Sequence, residues 1–238
     1  GISLNKFISS TGICSRREAD KMIDAGRVTL NNEQARKGNR VFNGDIVKVD
    51  GRPLLTQDKP PTIYIALYKP PGIVSTTDSK EPKNIINYVA HPERLFHIGR
   101  LDKPSEGLIF LTNDGDIVNK ILRAGNAHEK EYIVTVDKSI DRTFVQKMSS
   151  GIPILGTVTQ KCFVEKIKDK TFRIILTEGL NRQIRRMCEY LGYSVRKLVR
   201  TRIMHISTDG LQKGAWRYFT EEEEKILFQL IENSKSEL

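Results

Sequence analysis

No apolar run of about 18 residues occurs in the chain, so no transmembrane helix is expected. The N-terminal stretch GISLNKFISS has neither the apolar block nor the cleavage site of a secretory leader. Cysteine is scarce: Cys14, Cys162 and Cys188 are odd in number and widely spaced. That usage fits a reducing compartment, and the expected location is the cytoplasm. There is no CxxC, and His91, His97, His128 and His205 show no metal-ligand spacing, so no metal is expected. Walker A and GxGxxG patterns are missing as well. Any chemistry is therefore expected to run without a cofactor.

What the chain has is positive charge. Lys and Arg number 39 against 29 Asp and Glu, a net charge of +10. Hydrophobic residues make up 38%, enough for packed cores in a chain of 238 residues. A foldable, strongly basic protein without membrane signals points to a polyanionic partner such as nucleic acid.

The polar, proline-ended stretch TQDKPP at 56–61 reads as a flexible linker. It divides a small module, 1–55, from a body, 62–238. Leu4, Phe7 and Ile8 have helical spacing, with Gly12 as a stop. Ser15-Arg16-Arg17-Glu18 is a capping box that opens a second helix with Ala19, Met22 and Ile23 inside. Strands are expected at Val28–Leu30 and Ile46–Val49, with Asn43-Gly44 as a turn. In the body, strands are expected at Ile63–Leu67, Leu108–Leu111, Tyr132–Val136, Val158–Val164 and Phe172–Leu176. Helices are expected at Ile117–Arg123, Asn181–Leu191 and Glu221–Ile231. The fold class is α+β, without an internal repeat.

Arg16 and Arg17 sit in the first turn of a helix, where the macrodipole disfavours cations by roughly 0.3–1 kcal/mol each. A helix N-terminus already attracts anions, so the pair, with Lys6, Lys21 and Arg27 nearby, is expected to hold RNA phosphates. A solvated face without a task is the plainer reading. The densest basic stretch is 181–202, with seven Lys/Arg against Glu189 alone. On its helix Ile184, Met187, Cys188 and Leu191 form one stripe, and Arg182 and Arg186 face the other way, towards phosphates. Arg185 borders the stripe and is able to reach an interior carboxylate; plain surface charge is equally open for all three. Taken alone, Asp102 in HIGRLD reads as a turn residue and Tyr132 as core. The run Glu221–Glu224 is expected to be structural, because Thr220 and Glu223 form a second capping box.

GRLDKPSEGL resembles the G-R-L-D-x-x-[ST]-x-G-L signature of the RsuA-type bacterial pseudouridine synthases. LTNDGD, KEYIVTV, EGLNRQIRRM and KLVRTRI continue the resemblance in the family's order, and the first module is similar to an S4 RNA-binding domain. ILRAGNAHEKEY, GIPILGTVT and GLNRQIRRMCEYLGY are most similar to the RluF branch, which acts on large-subunit (23S) ribosomal RNA. Pro104 departs from the acidic residue expected in that branch but leaves the motif's Gly, Arg, Asp and Ser in place.

The resemblance implies a mixed, mainly antiparallel sheet with flanking helices and an RNA cleft across its middle. It implies that Asp102 is the catalytic aspartate, Tyr132 stacks on the target base, Arg185 partners the aspartate and Leu198 lines the uracil pocket. Arg100 and Lys130 are motif neighbours expected to touch substrate, with Arg182 and Arg186 on its phosphates. It implies 23S ribosomal RNA as substrate, with a tRNA left open as a second one, and no metal or cofactor; nothing in the sequence demands a dimer, so a monomer is expected. The chemistry is consistent with that. Breaking N1–C1′, turning the uracil and bonding C5 to C1′ changes no oxidation state and adds no group. A carboxylate suffices, as nucleophile at C1′ or as base at C2′. A carboxylate kept ionised in a dry cleft needs a guanidinium against it. Two other readings remain at this point: an RNA-binding assembly factor or chaperone with an idle pocket, and a nuclease. The nuclease reading is the weaker because paired carboxylates and histidines are missing.

Overall fold

The computed structural model describes residues 1–55, 61–125 and 128–233. Most of the expected linker, 56–60, therefore lies outside the described residues. The chain divides into two compact units, Gly1–Pro61 and Thr62–Leu238.

The first unit runs β1 (Ile2–Ser3), α1 (Leu4–Ser10), α2 (Arg16–Asp24), β2 (Val28–Leu30), β3 (Glu33–Gln34), β4 (Arg40–Val41), β5 (Val47–Val49) and β6 (Arg52–Pro53). β3-β2-β5-β6 form a small antiparallel sheet, and β1 pairs with β4. Leu4 and Ile8 of α1 and Ala19 and Ile23 of α2 meet Val28, Val47 and Val49 in one core. The Ser15 box is formed: Ser15 Oγ accepts from Glu18 N at 3.1 Å, and Ser15 N donates to Glu18 Oε2 at 2.6 Å. The expected strands were right in place. The two-residue strands were not foreseen, because so short a run carries no period.

The second unit runs β7 (Tyr64–Lys69), α3 (Ile85–Val89), β8 (Phe96–Ile98), β9 (Glu106–Thr112), α4 (Gly115–Gly125), β10 (Lys130–Val136), α5 (Arg142–Ser150), β11 (Pro153–Ile154), β12 (Thr157–Val158), β13 (Phe163–Lys168) and β14 (Thr171–Leu176). It continues with α6 (Gln183–Tyr190), β15 (Val195–Ile203), β16 (Ile206–Ser207), β17 (Trp216–Tyr218) and α7 (Glu221–Asn233). One sheet is ordered β13-β14-β10-β15-β9-β7-β17, with β16 beside β15 and β8 beside β9. Its described pairings are antiparallel except β15 with β9. The expected mixed, mainly antiparallel sheet with flanking helices is therefore the observed one.

The parallel pair sits at the middle of the sheet and depends on one glycine. Gly107 has φ +112°, and a Cβ there would lie 2.2 Å from the Arg200 carbonyl oxygen. Only glycine lets the two backbones approach this closely. Three cores pack on the sheet. Ile184, Met187 and Cys188 of α6 join Val134, Phe172 and Leu198. Leu227 and Ile231 of α7 join Leu108, Phe110 and Ile121. Ile85 and Val89 of α3 join Ile65, Leu67 and Ile109.

Three expectations are corrected. The expected strand 158–164 is interrupted: β12 ends at Val158 and β13 starts at Phe163, while Thr159 turns inward and its Oγ1 accepts from Ile152 N at 2.8 Å. The helix expected from Asn181 begins at Gln183, with Arg182 in the left-handed conformation (φ 49°) just before it. The long strand β15 was read only as a basic stretch; its apolar and basic residues interleave without marking a buried face.

Candidate active site

β7 and the loop after it shape the segment that carries Asp102. Lys69, at the end of β7, is fully buried, and its Nζ donates to the carbonyls of Ile73 (2.8 Å), Pro70 (3.0 Å) and Lys103 (3.4 Å). Ser75 Oγ donates to the Leu101 carbonyl at 3.0 Å, and Leu101 N returns a bond to the same oxygen at 3.2 Å. Gly72 N reaches the Lys103 carbonyl at 2.7 Å, and Ser105 N closes a turn onto the Asp102 carbonyl at 2.9 Å. A buried ammonium is tolerated only when its donors are satisfied. Here three carbonyls do so, and burial still pushes its pKa down to about 8. The loop is thus held from beneath, with the Asp102 side chain at its surface.

Two guanidiniums approach that side chain from the start of α6. Arg182 Nη1 lies 3.2 Å from Asp102 Oδ2, and Arg185 Nε lies 3.9 Å from the same oxygen. Arg185 also donates from Nη2 to Ser105 Oγ at 2.8 Å. Their surroundings differ. The Arg185 side chain is 12% exposed, whereas Arg182 is 42% and Asp102 39% exposed. Burial, followed by the neighbouring positive charge of Arg182, lowers the pKa of Arg185, and Asp102 opposes that shift. A half-exposed pair such as Asp102–Arg182 contributes roughly 0–1 kcal/mol. The charge on Arg185 costs more to bury, so its partner matters more.

This differs from the sequence expectation in two ways. Arg182 was placed on phosphates by a helical argument, but it precedes the helix, and its left-handed backbone turns it onto Asp102. The carboxylate is partly open to solvent rather than enclosed. The loop before α6 is fixed by Gln183, which is buried: its Oε1 accepts from Leu180 N at 3.1 Å, and its Nε2 donates to Glu178 at 2.8 Å.

Beside Asp102 is a cleft of about 260 Å³. Arg100, Lys130, Tyr132, Arg182 and Leu198 line it, together with Ser105 and Arg200. Lys130 and Tyr132 come from β10 and Leu198 and Arg200 from β15, the strands flanking the centre of the sheet. Leu198 is buried in the core under the cleft, and Tyr132 packs against the same core. Lys130 Nζ donates to the Gly125 carbonyl at 2.6 Å, and burial lowers its pKa. Arg186 turns back to Asn181, donating to its carbonyl and its Oδ1 at 3.0 Å each, and does not line the cleft.

In the first unit, Arg16, Arg17, Lys21 and Arg27 are exposed and Lys6 is partly so. Arg27 forms a fork with Asp50, Nε–Oδ1 2.9 Å and Nη2–Oδ2 2.5 Å, so its charge is already answered.

Sequence reasoning missed Lys69, Ser105, Gln183 and Arg200. Arg200 is buried because its Nε donates to the carbonyl of Leu108 at 2.7 Å, a residue 92 positions away. Nothing local marks such a side chain as internal. Among the described residues no cluster of His, Cys, Asp and Glu is able to hold a metal, and no helix is long and apolar enough to cross a membrane.

The cleft has the Asp102 carboxylate in its lining, with Arg100, Lys130 and Arg200 adding positive charge and Leu198, Phe110 and Ile121 adding apolar surface. The family described as RNA pseudouridylate synthase matches residues 63–190, and the S4 domain matches residues 3–47. The dual-specificity RNA pseudouridine synthase RluF of Escherichia coli (strain K12) is 58% identical over 237 residues, covering 100% of this chain and 82% of that one. The ribosomal large subunit pseudouridine synthase B of Bacillus subtilis (strain 168) is 33% identical over 242 residues, covering 98% of each. A crystal structure of a pseudouridylate synthase has a TM-score of 0.66 to this chain at 27% identity, covering 95% of this chain and 100% of that one. With the sheet, the cleft and these relatives in agreement, the chain belongs to the RNA pseudouridine synthases, as an RluF-type member of the RsuA family with an N-terminal S4 domain.

Proposed function

We propose that the chain converts selected uridines of 23S ribosomal RNA, and of a tRNA, to pseudouridine, with Asp102 as the catalytic group. The observation that carries this is the Asp102 carboxylate at the edge of a cleft lined by Tyr132 and Leu198, with two guanidiniums on one of its oxygens. A second substrate beside the first is in keeping with the name of the Escherichia coli relative, a dual-specificity synthase whose identity extends along the whole chain.

In this reading the target uridine leaves its stack, at a cost of a few kcal/mol. Stacking on Tyr132 and contact with Leu198 offset part of that cost. Entry of the base displaces the water that reaches Asp102, which strengthens its pairing with Arg185. Asp102 then acts on the sugar, as nucleophile at C1′ or as base at C2′; both require the carboxylate ionised. The N1–C1′ bond breaks, the uracil turns within the cleft and C5 bonds to C1′, with the C5 proton lost and N1 gaining one. Lys130 and Arg100 provide positive charge along the sugar-phosphate path, while Arg182 stays paired with Asp102.

Arg16 and Arg17, with Lys6 and Lys21 around them, give the S4 unit, residues 1–55, its RNA contact, while Arg27 stays with Asp50. In this reading the monomer is the working unit, and the cytoplasm is where its RNA is met. Pseudouridine sequencing of 23S ribosomal RNA and tRNA transcripts, incubated with and without the protein, tests the reading. New pseudouridines confined to the treated samples are expected. Transcripts bound but unchanged would favour an RNA chaperone instead.

A further inference from the structure

Arg200 lines the Asp102 cleft and has no step of the reaction assigned to it. It is 7% exposed. A guanidinium taken out of water persists only where acceptors or opposite charges answer it. Here the answer is incomplete. Nε donates to the Leu108 carbonyl at 2.7 Å, while Nη1 and Nη2 have no hydrogen-bond partner or carboxylate among the described residues. The two carboxylates in the cleft lining are engaged elsewhere. Asp102 faces Arg182 and Arg185, and Glu178 accepts from Gln183 Nε2 and from the backbone N–H of Gln160. Lys130, in the same lining, has its pKa lowered by burial first and by the charge of Arg200 second. The guanidinium thus has a cation for a neighbour and no anion against it. Its unpartnered amino groups are not sealed in the core either. Among the described residues the side-chain polar atoms fully buried without a partner are Arg173 Nε, Arg185 Nε and His205 Nδ1, none of them on Arg200. The open end of Arg200 therefore meets the space of the cleft.

Its position picks out what it meets there. Arg200 is the cross-strand partner of Tyr132, and Leu198 shares its face of the sheet. A base stacked on Tyr132 over Leu198 has this buried guanidinium beside it. Asp102, which acts on the sugar, stands at the open edge, 39% exposed. With the sugar at the edge, the far end of the base points inward. In uridine the ring atom opposite N1 is C4, so the group at that end is O4. After the turn, with C5 bonded to C1′, the atom opposite is C2, and O2 takes the same place. A donor fixed there meets a carbonyl before and after the turn. In between, the N1–C1′ electron pair stays with the base and spreads onto O2 and O4, in either role of Asp102. A charged donor suits such an oxygen better than a neutral one. A phosphate would have to leave the solvated edge to reach so deep a group.

We propose that Arg200 is the residue that reads uracil in this cleft, its Nη groups donating to O4 of the flipped base and, after the turn, to O2. A guanidinium has donors and no acceptor. Cytosine carries an amino group where uracil carries O4, so donor would face donor in a buried place and the base is rejected. The inference rests on the uridine-to-pseudouridine reading, which conversion of RNA by the wild-type protein checks separately.

The test compares RNA carrying uridine or cytidine at one position, the uridine that wild type converts in a 23S ribosomal RNA or tRNA transcript. Asp102→Asn keeps the RNA unconverted while binding is measured. Affinities for both RNAs are taken on Asp102→Asn, Asp102→Asn/Arg200→Gln and Asp102→Asn/Arg200→Lys. With Arg200 in place, the uridine RNA is expected to bind about tenfold or more tightly than the cytidine RNA. Glutamine has a donor and an acceptor and can turn either to the base, so in that variant the ratio should fall to within about twofold of unity. Lysine, a donor alone, should keep the preference for uridine. A ratio near unity with Arg200 in place, or one unmoved by Arg200→Gln in a protein folded by circular dichroism, overturns the proposal. A purely structural role would weaken both RNAs alike and leave the ratio standing. Should the Gln variant not fold, 4-thiouridine at the same position decides with Arg200 intact. Sulfur accepts hydrogen bonds weakly, so binding about threefold or more below uridine is expected, and equal binding overturns the proposal. Conversion by wild type with an unmoved ratio removes the inference alone, whereas no conversion removes the reading and the inference together.

Discussion

Asp102 and Arg185 come together although 80-odd positions separate them in sequence. Ser105 Oγ accepts from Arg185 Nη2 at 2.8 Å, while Nε stands 3.9 Å from the carboxylate and makes no hydrogen bond among the described residues. Arg185→Lys keeps a positive charge but cannot bridge both groups, because lysine lacks the planar fork. The expected outcome is a single-turnover rate lowered by roughly 10²-fold or more, with RNA affinity changed far less. Quenched-flow measurement of pseudouridine yield against time checks it; a rate within about twofold of wild type would remove Arg185 from the reaction. At this scale the sequence was informative where a motif supplied a role, and not where burial did. Lys69 in YKPPG looks like a surface lysine because the carbonyls that hold it belong to a loop 34 positions on as well as to its own turn. Arg182 was misjudged for a related reason: its direction follows from one left-handed backbone angle, which a helical wheel does not contain.

Helix ends were read more easily than strand contents. Both capping boxes, Ser15 with Glu18 and Thr220 with Glu223, are local and stand as expected. The second one is reinforced from outside the helix. Arg217 of β17 grips Glu223 through Nη1–Oε1 at 2.6 Å and Nη2–Oε2 at 2.9 Å, and the pKa of Glu223 falls to about 2 from 4.5, chiefly through that bond. Because the folded value is below the unfolded one, the stabilisation is fully present above about pH 4.5. It is lost as pH falls from there through 2. Glu223→Gln lacks this dependence. Urea unfolding at pH 7 and pH 2.5 is expected to show wild type losing about 2 kcal/mol more than the variant over that interval. Equal losses would show that Arg217 does not hold the glutamate. Strand β15 escaped notice because its burial is set by neighbours on both sides, β10 and β9, rather than by alternation in VRKLVRTRI.

For the whole molecule, charge was legible in the sequence and geometry was not. A net charge of +10 and a proline-ended break after residue 55 are properties of composition and do not require a fold to be seen. The topology that places a parallel pair at the centre of an antiparallel sheet depends on Gly107 meeting Arg200 across 93 positions, which no local pattern reports. The electrostatic part of RNA binding is shared between the units in this account. Arg16→Ala combined with Arg17→Ala should weaken RNA binding and make its salt dependence shallower by about 1–2 in log–log slope. An unchanged slope would mean that the first turn of α2 does not meet phosphate.

The central claim is that Asp102 does the chemistry while the rest of the cleft holds the RNA. Pseudouridine sequencing of 23S ribosomal RNA and tRNA transcripts after incubation with Asp102→Asn, alongside RNA affinity and circular dichroism of that variant, addresses it most directly. The account predicts no pseudouridine from a variant that folds and binds RNA within a few-fold of wild type. Turnover by Asp102→Asn at the wild-type rate would contradict it.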